Sequence, residues 1–339
     1  MKKLLLIILL LIPINIKAID TSATSIILMD QDSKRILYAK NIHEVRSIAS
    51  ISKIMTAIVA IENGNLKKQV TIGNEIDSSY GSGIYIKKGE KLTIEDLLYG
   101  LMLRSGNDAA AAISYHSSKS VDNFISKMNN LASKLNMKDT TFNNPSGLDE
   151  ENGNYSTAYD MALLTSYAMK NKTYKQIVKT KKYQLTTNKN TYVWHNKNKL
   201  LNTYKYTTGG KTGFTKKAKR TLVTTASKNN LNLVVVSLND GNDFNDHKAL
   251  FEYGFSNYEN FLILKKGQIK IANENYYKNK KLYIKKNIYY PLTKSEKNSI
   301  QLDYKIEKKR SHKNNSKIGK VNIKLGDKII TSTNLYVKK

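Results

Sequence analysis

The stretch Ser50-Ile-Ser-Lys-Ile-Met-Thr-Ala-Ile-Val-Ala-Ile-Glu62 carries a hydroxyl and an amine at the start of a segment whose apolar residues predict a helix over 50–62. Ser50 and Lys53 are three residues apart, which places them on one helical face, one turn from each other. A serine needs a nearby base to become a nucleophile, and a buried lysine with a second cation nearby favours the neutral amine. Alone, the pattern is also typical of a solvated helix start.

Two further motifs place polar side chains where a substrate could bind. Ser105-Gly106-Asn107 lies at a break between two predicted helices, where the hydroxyl can relay a proton and the amide can bind a peptide group. Lys211-Thr212-Gly213 follows two glycines on a predicted strand, and its cation and hydroxyl can hold a carboxylate. Alone, Ser105-Gly106-Asn107 is explained by a helix N-cap, and Lys211-Thr212-Gly213 is explained by a glycine turn in a basic protein.

The three motifs gain significance from their order. They begin at residues 50, 105 and 211, and this order of Ser-x-x-Lys, Ser-x-Asn and Lys-Thr-Gly is that of penicillin-binding proteins and class A β-lactamases. Over roughly residues 24–260, and more weakly over 263–339, the chain resembles the low-molecular-mass penicillin-binding proteins, the serine-type D-Ala-D-Ala carboxypeptidases. The resemblance also includes Leu37-Tyr-Ala-Lys-Asn41, Lys53-Ile-Met-Thr56, Leu103-Arg-Ser-Gly-Asn-Asp-Ala-Ala110, Asn144-Pro-Ser-Gly-Leu-Asp149 and Tyr155-Ser-Thr-Ala-Tyr-Asp160.

The resemblance implies the catalytic roles. Ser50 would attack the carbonyl between two D-alanines and form an acyl-enzyme, with Lys53 taking its proton. Ser105 would help pass a proton to the leaving D-alanine, and Asn107 would bind the peptide. Water would then hydrolyse the ester, and β-lactams would acylate Ser50 as substrate mimics. The resemblance implies no metal or other cofactor.

The resemblance also implies the substrate-binding residues. Lys211 and Thr212 would meet the terminal carboxylate, beside Gly213, and the backbone N–H groups of Ser50 and Phe214 would form the oxyanion hole. Two positions depart from the family pattern. Ile48 stands where proline is usual, and Lys219-Arg220 stands where a glycine is usual. Both departures are expected to alter loop shape without touching the catalytic atoms.

Two other functions are consistent with these motifs. A class A-like β-lactamase would need a deacylating glutamate in an E-x-x-L-N setting, but Glu150 and Glu151 lie in a turn, and Asn198 occupies the required position before Leu201-Asn202. A non-enzymatic wall- or membrane-binding protein with a vestigial catalytic domain would keep the fold without the chemistry. The intact motifs favour the enzyme.

The length of the chain and the order of its predicted segments indicate a signal peptide followed by two domains. The 339 residues suit one large and one small domain. Lys2, Lys3 and the apolar run Leu4–Ile12 predict a signal peptide over 1–18, with an uncleaved anchor as the alternative. Residues 19–262 are expected to form an α/β (α+β) transpeptidase/β-lactamase-like domain, an antiparallel sheet covered by helices. Residues 263–339 are expected to form a small, basic, all-β domain.

Composition bounds the chemistry and the partners. The chain has no cysteine, which excludes cysteine nucleophiles and cysteine-ligated zinc, and its five histidines show no metalloprotease spacing. The net charge is +29, concentrated toward the C-terminus. For an exported, extracytoplasmic protein, secreted or peripheral at the outer face, this charge predicts an anionic wall polymer or a membrane surface as partner. An AT-rich genome, whose codons favour lysine, is the alternative explanation of the positive charge. No recognition motif supports nucleic acid as a partner.

Overall fold

The structure is a computed structural model that describes residues 19–149, 152–271, 276–277, 280–308 and 313–338. The predicted signal peptide lies outside these residues. The strands are β1 Ser25–Asp30, β2 Ile36–Lys40, β3 Arg46–Ser47, β4 Gln69–Thr71, β5 Lys91–Thr93, β6 Tyr155–Ser156, β7 Lys182–Thr186, β8 Thr191–His195, β9 Thr207–Thr215, β10 Lys219–Lys228, β11 Leu231–Leu238, β12 Glu259–Leu264, β13 Gly267–Ile269, β14 Lys281–Ile284, β15 Ile288–Leu292, β16 Ile300–Ile306, β17 Ser316–Leu325 and β18 Lys328–Lys338.

Most of the helices fall between β3 and β9, as the sequence order predicts. None of them, over the described ranges, is long and apolar enough to cross a membrane. Two short 3-10 helices, Ala49–Ser52 and Asn74–Ile76, accompany them. The α-helices are α1 Lys53–Asn63, α2 Ile94–Arg104, α3 Asn107–Ser118, α4 Val121–Lys134, α5 Ala158–Ala168, α6 Lys172–Lys179, α7 Leu200–Thr203, α8 Asp243–Asn257 and α9 Lys294–Lys297.

The central sheet is antiparallel, with strand order β2-β1-β11-β10-β9, so strands from both ends of the domain meet in it. Its inner strands are buried on both faces because helices cover both. Ile27 and its cross-strand partner Val236 pack in the cluster of the central helices, whereas Leu28 and its partner Val235 pack with Phe251 of α8. The predicted antiparallel sheet covered by helices is therefore confirmed.

The C-terminal region forms a second five-stranded antiparallel sheet, with strand order β13-β14-β18-β17-β16, and the predicted all-β character is confirmed. A two-stranded ribbon of β12 and β15 stands beside it. Arg35 of the catalytic domain donates hydrogen bonds to the Pro291 carbonyl at 2.6 Å and to Glu296 at 2.5 Å. The boundary near residue 262 stays a prediction, and that position lies within β12.

Candidate active site

The nucleophile motif lies where the chain enters α1. The 3-10 helix Ala49–Ser52 runs directly into α1, and Ala49 adopts a left-handed φ of 49°. Ser50 is half-buried, whereas Lys53 is completely buried. The Nζ of Lys53 lies 3.1 Å from the Oγ of Ser50. One turn of chain thus brings the predicted nucleophile and the predicted base into hydrogen-bond contact.

The amine of Lys53 is held by neutral acceptors. It donates to Oδ1 of Asn107 at 2.7 Å and to the backbone carbonyl of Ser146. Burial, followed by repulsion from Lys197, lowers the pKa of Lys53 to about 7, while Asp108 opposes this shift. A buried lysine without a paired carboxylate loses its proton more easily, which is what a base requires.

The predicted break between α2 and α3 is confirmed, and it carries the second motif. Ser105 follows α2 in a left-handed conformation (φ 68°), and Asn107 is the first residue of α3. The Asn107 backbone N–H donates to the Ser82 carbonyl at 2.7 Å, and its side-chain Nδ2 donates to the Tyr80 carbonyl at 2.6 Å. These bonds fix the amide, so that its oxygen faces the lysine of the first motif.

The third motif lies on β9, the edge strand of the central sheet. A Cβ added at Gly213 would lie 2.4 Å from Oγ1 of Thr221 and 3.1 Å from the Ser50 backbone nitrogen, so only glycine fits. Thr212 faces the cavity beside it, and Phe214 is 64% exposed at the rim. The missing side chain lets β9 pass directly against the backbone of Ser50, the predicted nucleophile.

Lys211 is the second buried lysine of the site. Its Nζ donates to Oγ of Ser105 at 2.9 Å and to the Thr212 carbonyl at 2.6 Å. Burial, then repulsion from Lys53 and Lys197, holds the pKa of Lys211 well below its usual range. The hydrogen bond from Lys211 to Ser105 therefore connects the third motif to the second. Like Lys53, Lys211 loses its proton more easily than an exposed lysine does.

All eight predicted site residues meet at one cavity of about 310 Å³. Three of them, Lys53, Asn107 and Lys211, are buried behind its wall. The other five line it directly: Ser50, Ser105, Thr212, Gly213 and Phe214.

The sequence reasoning missed Arg220 as a residue of the cavity. Arg220 lies on β10, not in a loop, and lines the same cavity as Ser50. Its Nε and Nη2 donate to the carboxylate of Asp243 at 3.1 and 2.6 Å. Its guanidinium lies over the Phe244 ring, 5.7 Å from the ring centroid. The departure from glycine at this position was the available signal.

The Asn144-Pro-Ser-Gly147 turn was also missed as part of the site. The Ser146 carbonyl accepts a hydrogen bond from Lys53, and the Pro145 carbonyl accepts one from Thr56 at 2.7 Å. Gly147 has a φ of 84°, and a Cβ there would meet the Ala49 carbonyl at 2.0 Å. The turn therefore presses against the nucleophile segment and supplies a backbone acceptor that no side-chain motif reveals.

The cavity offers little to a class A β-lactamase mechanism. Among the described residues that line it, the acidic one is Asp243, which is paired with Arg220. Asn198 is buried and donates to the Gly209 carbonyl at 3.2 Å. Glu150 and Glu151 lie outside the described residues.

Comparison with known proteins agrees with this geometry. A family model described as D-alanyl-D-alanine carboxypeptidase matches residues 13–242, and one described as the C-terminal domain of penicillin-binding protein 5 matches residues 258–339. The D-alanyl-D-alanine carboxypeptidase DacF of Bacillus subtilis is 33% identical over 287 residues, covering 82% of this chain and 72% of that protein. The D-alanyl-D-alanine carboxypeptidase DacA of Escherichia coli is 30% identical over 342 residues, which cover 93% of this chain and 82% of that protein.

Solved structures extend the similarity to both sheets. The crystal structure of penicillin binding protein 5 from Haemophilus influenzae superimposes with a TM-score of 0.79 at 28% identity, covering 94% of this chain and 97% of that one. Fold and site together define the class of protein, a serine hydrolase of the penicillin-binding type. The chain belongs to the S11 family of D-alanyl-D-alanine carboxypeptidases, the low-molecular-mass penicillin-binding proteins.

Proposed function

We propose that this protein removes the terminal D-alanine from peptidoglycan stem peptides through an acyl-enzyme on Ser50. One observation carries the proposal. The amine of Lys53 is buried, has a pKa of about 7, and lies 3.1 Å from the Ser50 hydroxyl. An amine that is neutral near neutral pH and in contact with a serine can activate it.

Acylation begins when neutral Lys53 accepts the hydroxyl proton of Ser50. The serine oxygen then bonds to the carbonyl carbon between the two D-alanines, and the carbonyl electron pair moves onto its oxygen. The backbone N–H groups of Ser50 and Phe214 would stabilise this oxyanion. The close passage of Gly213 past the Ser50 backbone supports this placement, because it brings the two segments together.

Collapse of the tetrahedral intermediate breaks the bond to the leaving amine, which must gain a proton. The proton that Lys53 accepted from Ser50 would pass through the Ser105 hydroxyl to the amine, which returns Lys53 to its neutral form. The Oγ of Ser105 is held for this role by the hydrogen bond that the Nζ of Lys211 donates to it at 2.9 Å. The side-chain amide of Asn107 would hold the peptide. In deacylation a water molecule would give a proton to neutral Lys53 as its oxygen bonds to the acyl carbon. The ester bond then breaks, and Lys53 returns that proton to the Ser50 oxygen, 3.1 Å away.

The substrate carboxylate would meet Thr212 and the accessible cation Arg220. Lys211 is only 2% exposed, so its contribution to this side of the cavity passes through its hydrogen bond to Ser105 and not through direct contact with the carboxylate. Asp243 and Phe244 orient the Arg220 guanidinium, which leaves its Nη1 for an anion. A guanidinium held in this way is well suited to bind a carboxylate.

Replacing Arg220 by glutamine is expected to raise KM for a D-Ala-D-Ala peptide about 10- to 100-fold with a smaller change in kcat, as for the loss of a charge-assisted hydrogen bond. Steady-state kinetics on the free-acid peptide measure this effect. A peptide with an amidated C-terminus is the control. It lacks the carboxylate that Arg220 would bind, so wild type and variant should cleave it equally slowly. An equal loss on both peptides would contradict a carboxylate role for Arg220.

The rate of Ser50 acylation is expected to rise with pH and level off above about 7, the pKa of Lys53. Below this pH the amine is protonated and cannot accept the serine proton, and above it the amine is neutral. The second-order rate constant for penicillin acylation, measured across this range, checks the prediction. A rate that is flat or falls with rising pH through this range would contradict the role of Lys53.

A direct assay separates the proposed activity from its alternatives. Purified protein should release free D-alanine from a peptide ending in D-Ala-D-Ala, and penicillin should acylate it without rapid turnover. Rapid penicillin hydrolysis without D-alanine release would instead indicate a β-lactamase. Neither reaction, in a folded protein, would indicate a vestigial catalytic domain.

Residues 1–18 are proposed to direct export, leaving a catalytic domain over 19–262 and a basic domain over 263–339 at the outer face of the cytoplasmic membrane or in the wall. The family's action on peptidoglycan supports an extracytoplasmic site. The 21 Lys and Arg against 5 Asp and Glu in residues 265–339 support an anionic partner for the second domain.

A further inference from the structure

A cavity of about 390 Å³ lies on the C-terminal sheet, away from Ser50. Strands β13, β14 and β18 form its wall, and three lysines line it: Lys281, Lys285 and Lys338. Tyr283 and the amides of Gln268 and Asn315 also line it. The cavity thus combines ammonium groups, an aromatic ring and neutral polar groups.

Strand alternation separates this face from the core. Leu282 of β14 and Val337 of β18 point into the hydrophobic cluster of the C-terminal domain. Their neighbours point the other way, and the register places Lys281 opposite Lys338 and Tyr283 opposite Tyr336. The cations and the tyrosines therefore share one face of neighbouring strands.

Among the residues that the structure describes, no salt bridge joins either of the two facing lysines, Lys281 and Lys338, to an acid. Strands β13, β14 and β18, which the structure describes in full, contain no aspartate or glutamate. Like charges directly opposite each other in an antiparallel pair are destabilising. Lys305 and Lys320 also lie opposite each other, on β16 and β17, but there Asp303 lies 3.6 Å from Lys305. Within the described part of the chain, the repulsion between Lys281 and Lys338 is therefore left to be relieved by an external anion, whereas Asp303 offsets that of the second pair.

A pair of tyrosines, of which Tyr283 lines the cavity, is fixed in place on the same face. The rings of Tyr283 and Tyr336 lie 5.7 Å apart, and the Tyr283 hydroxyl donates to Asn315 at 2.9 Å. Lys285 holds its Nζ 3.9 Å from the centre of the Tyr336 ring. A ligand on this face would meet lysines on both sides of the tyrosine pair.

We propose that this face binds repeated phosphate groups carried by a polyol or sugar chain of the cell surface. Lysine ammonium groups bind phosphates as point charges, and the tyrosines and amides offer contacts to the polyol or sugar units between them. The face is a concave, polar cavity, a shape that encloses the units of a chain better than it meets a flat layer of lipid headgroups. The inference rests on the proposed extracytoplasmic location, and it would hold the catalytic domain near its substrate.

Binding of a purified glycerol-phosphate polymer to the full chain tests this proposal. We expect the double variant Lys281→Gln, Lys338→Gln to bind about tenfold or more weakly than wild type, since it loses two of the three lysines that line the cavity. Wild-type binding should weaken steeply from roughly 0.05 to roughly 0.5 M NaCl. The matched control Lys305→Gln, Lys320→Gln removes the same charge from the same domain and should keep wild-type affinity.

Folding and catalysis serve as independent readouts. The Lys281→Gln, Lys338→Gln variant should melt at or above the wild-type temperature, because it loses a like-charge pair, and penicillin should still label Ser50. Absence of wild-type binding, or an equal loss in both double variants, would overturn the proposal. So would binding only to phosphatidylglycerol vesicles that the polymer does not displace, or equal binding of inorganic phosphate alone. Polymer binding with no penicillin labelling would support this site while refuting the proposed catalysis.

Discussion

Replacing Ser50 by alanine is expected to abolish covalent labelling by penicillin and to lower D-alanine release by about 10⁴-fold or more, the scale seen when a catalytic serine is removed. The variant lacks the oxygen that forms the acyl-enzyme, while the cavity around it keeps its shape. Ser50 is half-buried at the cavity wall, so its loss leaves no large void in the core. The melting temperature should therefore stay close to that of wild type.

Ser118→Ala is a matched control, because Ser118 ends α3 and accepts a hydrogen bond from Lys127 instead of facing the cavity. It should keep full labelling and activity. If Ser50→Ala still formed a covalent penicillin adduct, another residue would be the nucleophile.

Replacing Lys53 by glutamine is expected to lower the acylation rate about 10²- to 10⁴-fold, the usual contribution of a positioned general base. Glutamine keeps N–H donors for the acceptors that Lys53 now satisfies, Asn107 and the Ser146 carbonyl, but it cannot accept a proton. The variant should also lose the rise of the rate near pH 7, a change that a purely structural defect would not produce.

Lys34→Gln controls for the loss of a desolvated lysine. Burial, then repulsion from Lys170, lowers the pKa of Lys34 to about 8, yet its amine donates to the Gln31 carbonyl in the β1–β2 turn. This variant should acylate like wild type and keep the pH profile. An Lys53→Gln protein with an unchanged rate and profile would mean that another group activates the serine.

The sequence predicted the parts of the site that depend on short-range spacing. The contact between Ser50 and Lys53 follows from one helical turn, and the break at Ser105 follows from a local change of pattern. The antiparallel sheet covered by helices followed from element order, because β1 lies before the helices and β11 after them.

The parts that depend on tertiary contacts could not be predicted. The carbonyl of Ser146 reaches Lys53 across 93 residues, and a backbone acceptor leaves no mark in the side-chain pattern. Arg220 enters the cavity because β10 pairs with β9, and Asp243 of α8 orients it. The lowered pKa of Lys53 arises from burial in the assembled core, which spacing alone does not specify.

The net charge of the C-terminal region was visible in the sequence, but its arrangement was not. The strand register shows that Lys281 faces Lys338, with no acid on the three described strands of that face, while Lys305 has Asp303 beside it. The register thus distinguishes Lys281 and Lys338, which lie on the candidate binding face, from Lys305 and Lys320, which we expect to be solvated.

Mapping the penicillin adduct by mass spectrometry is the most direct test of the acyl-enzyme proposed for this protein. Wild-type protein is acylated, digested and sequenced by fragmentation. We expect one adduct, on the Ser50 hydroxyl in the peptide that contains Ser50-Ile-Ser-Lys53. An adduct on any other residue, or no adduct on folded protein that releases D-alanine, would contradict the acyl-enzyme on Ser50.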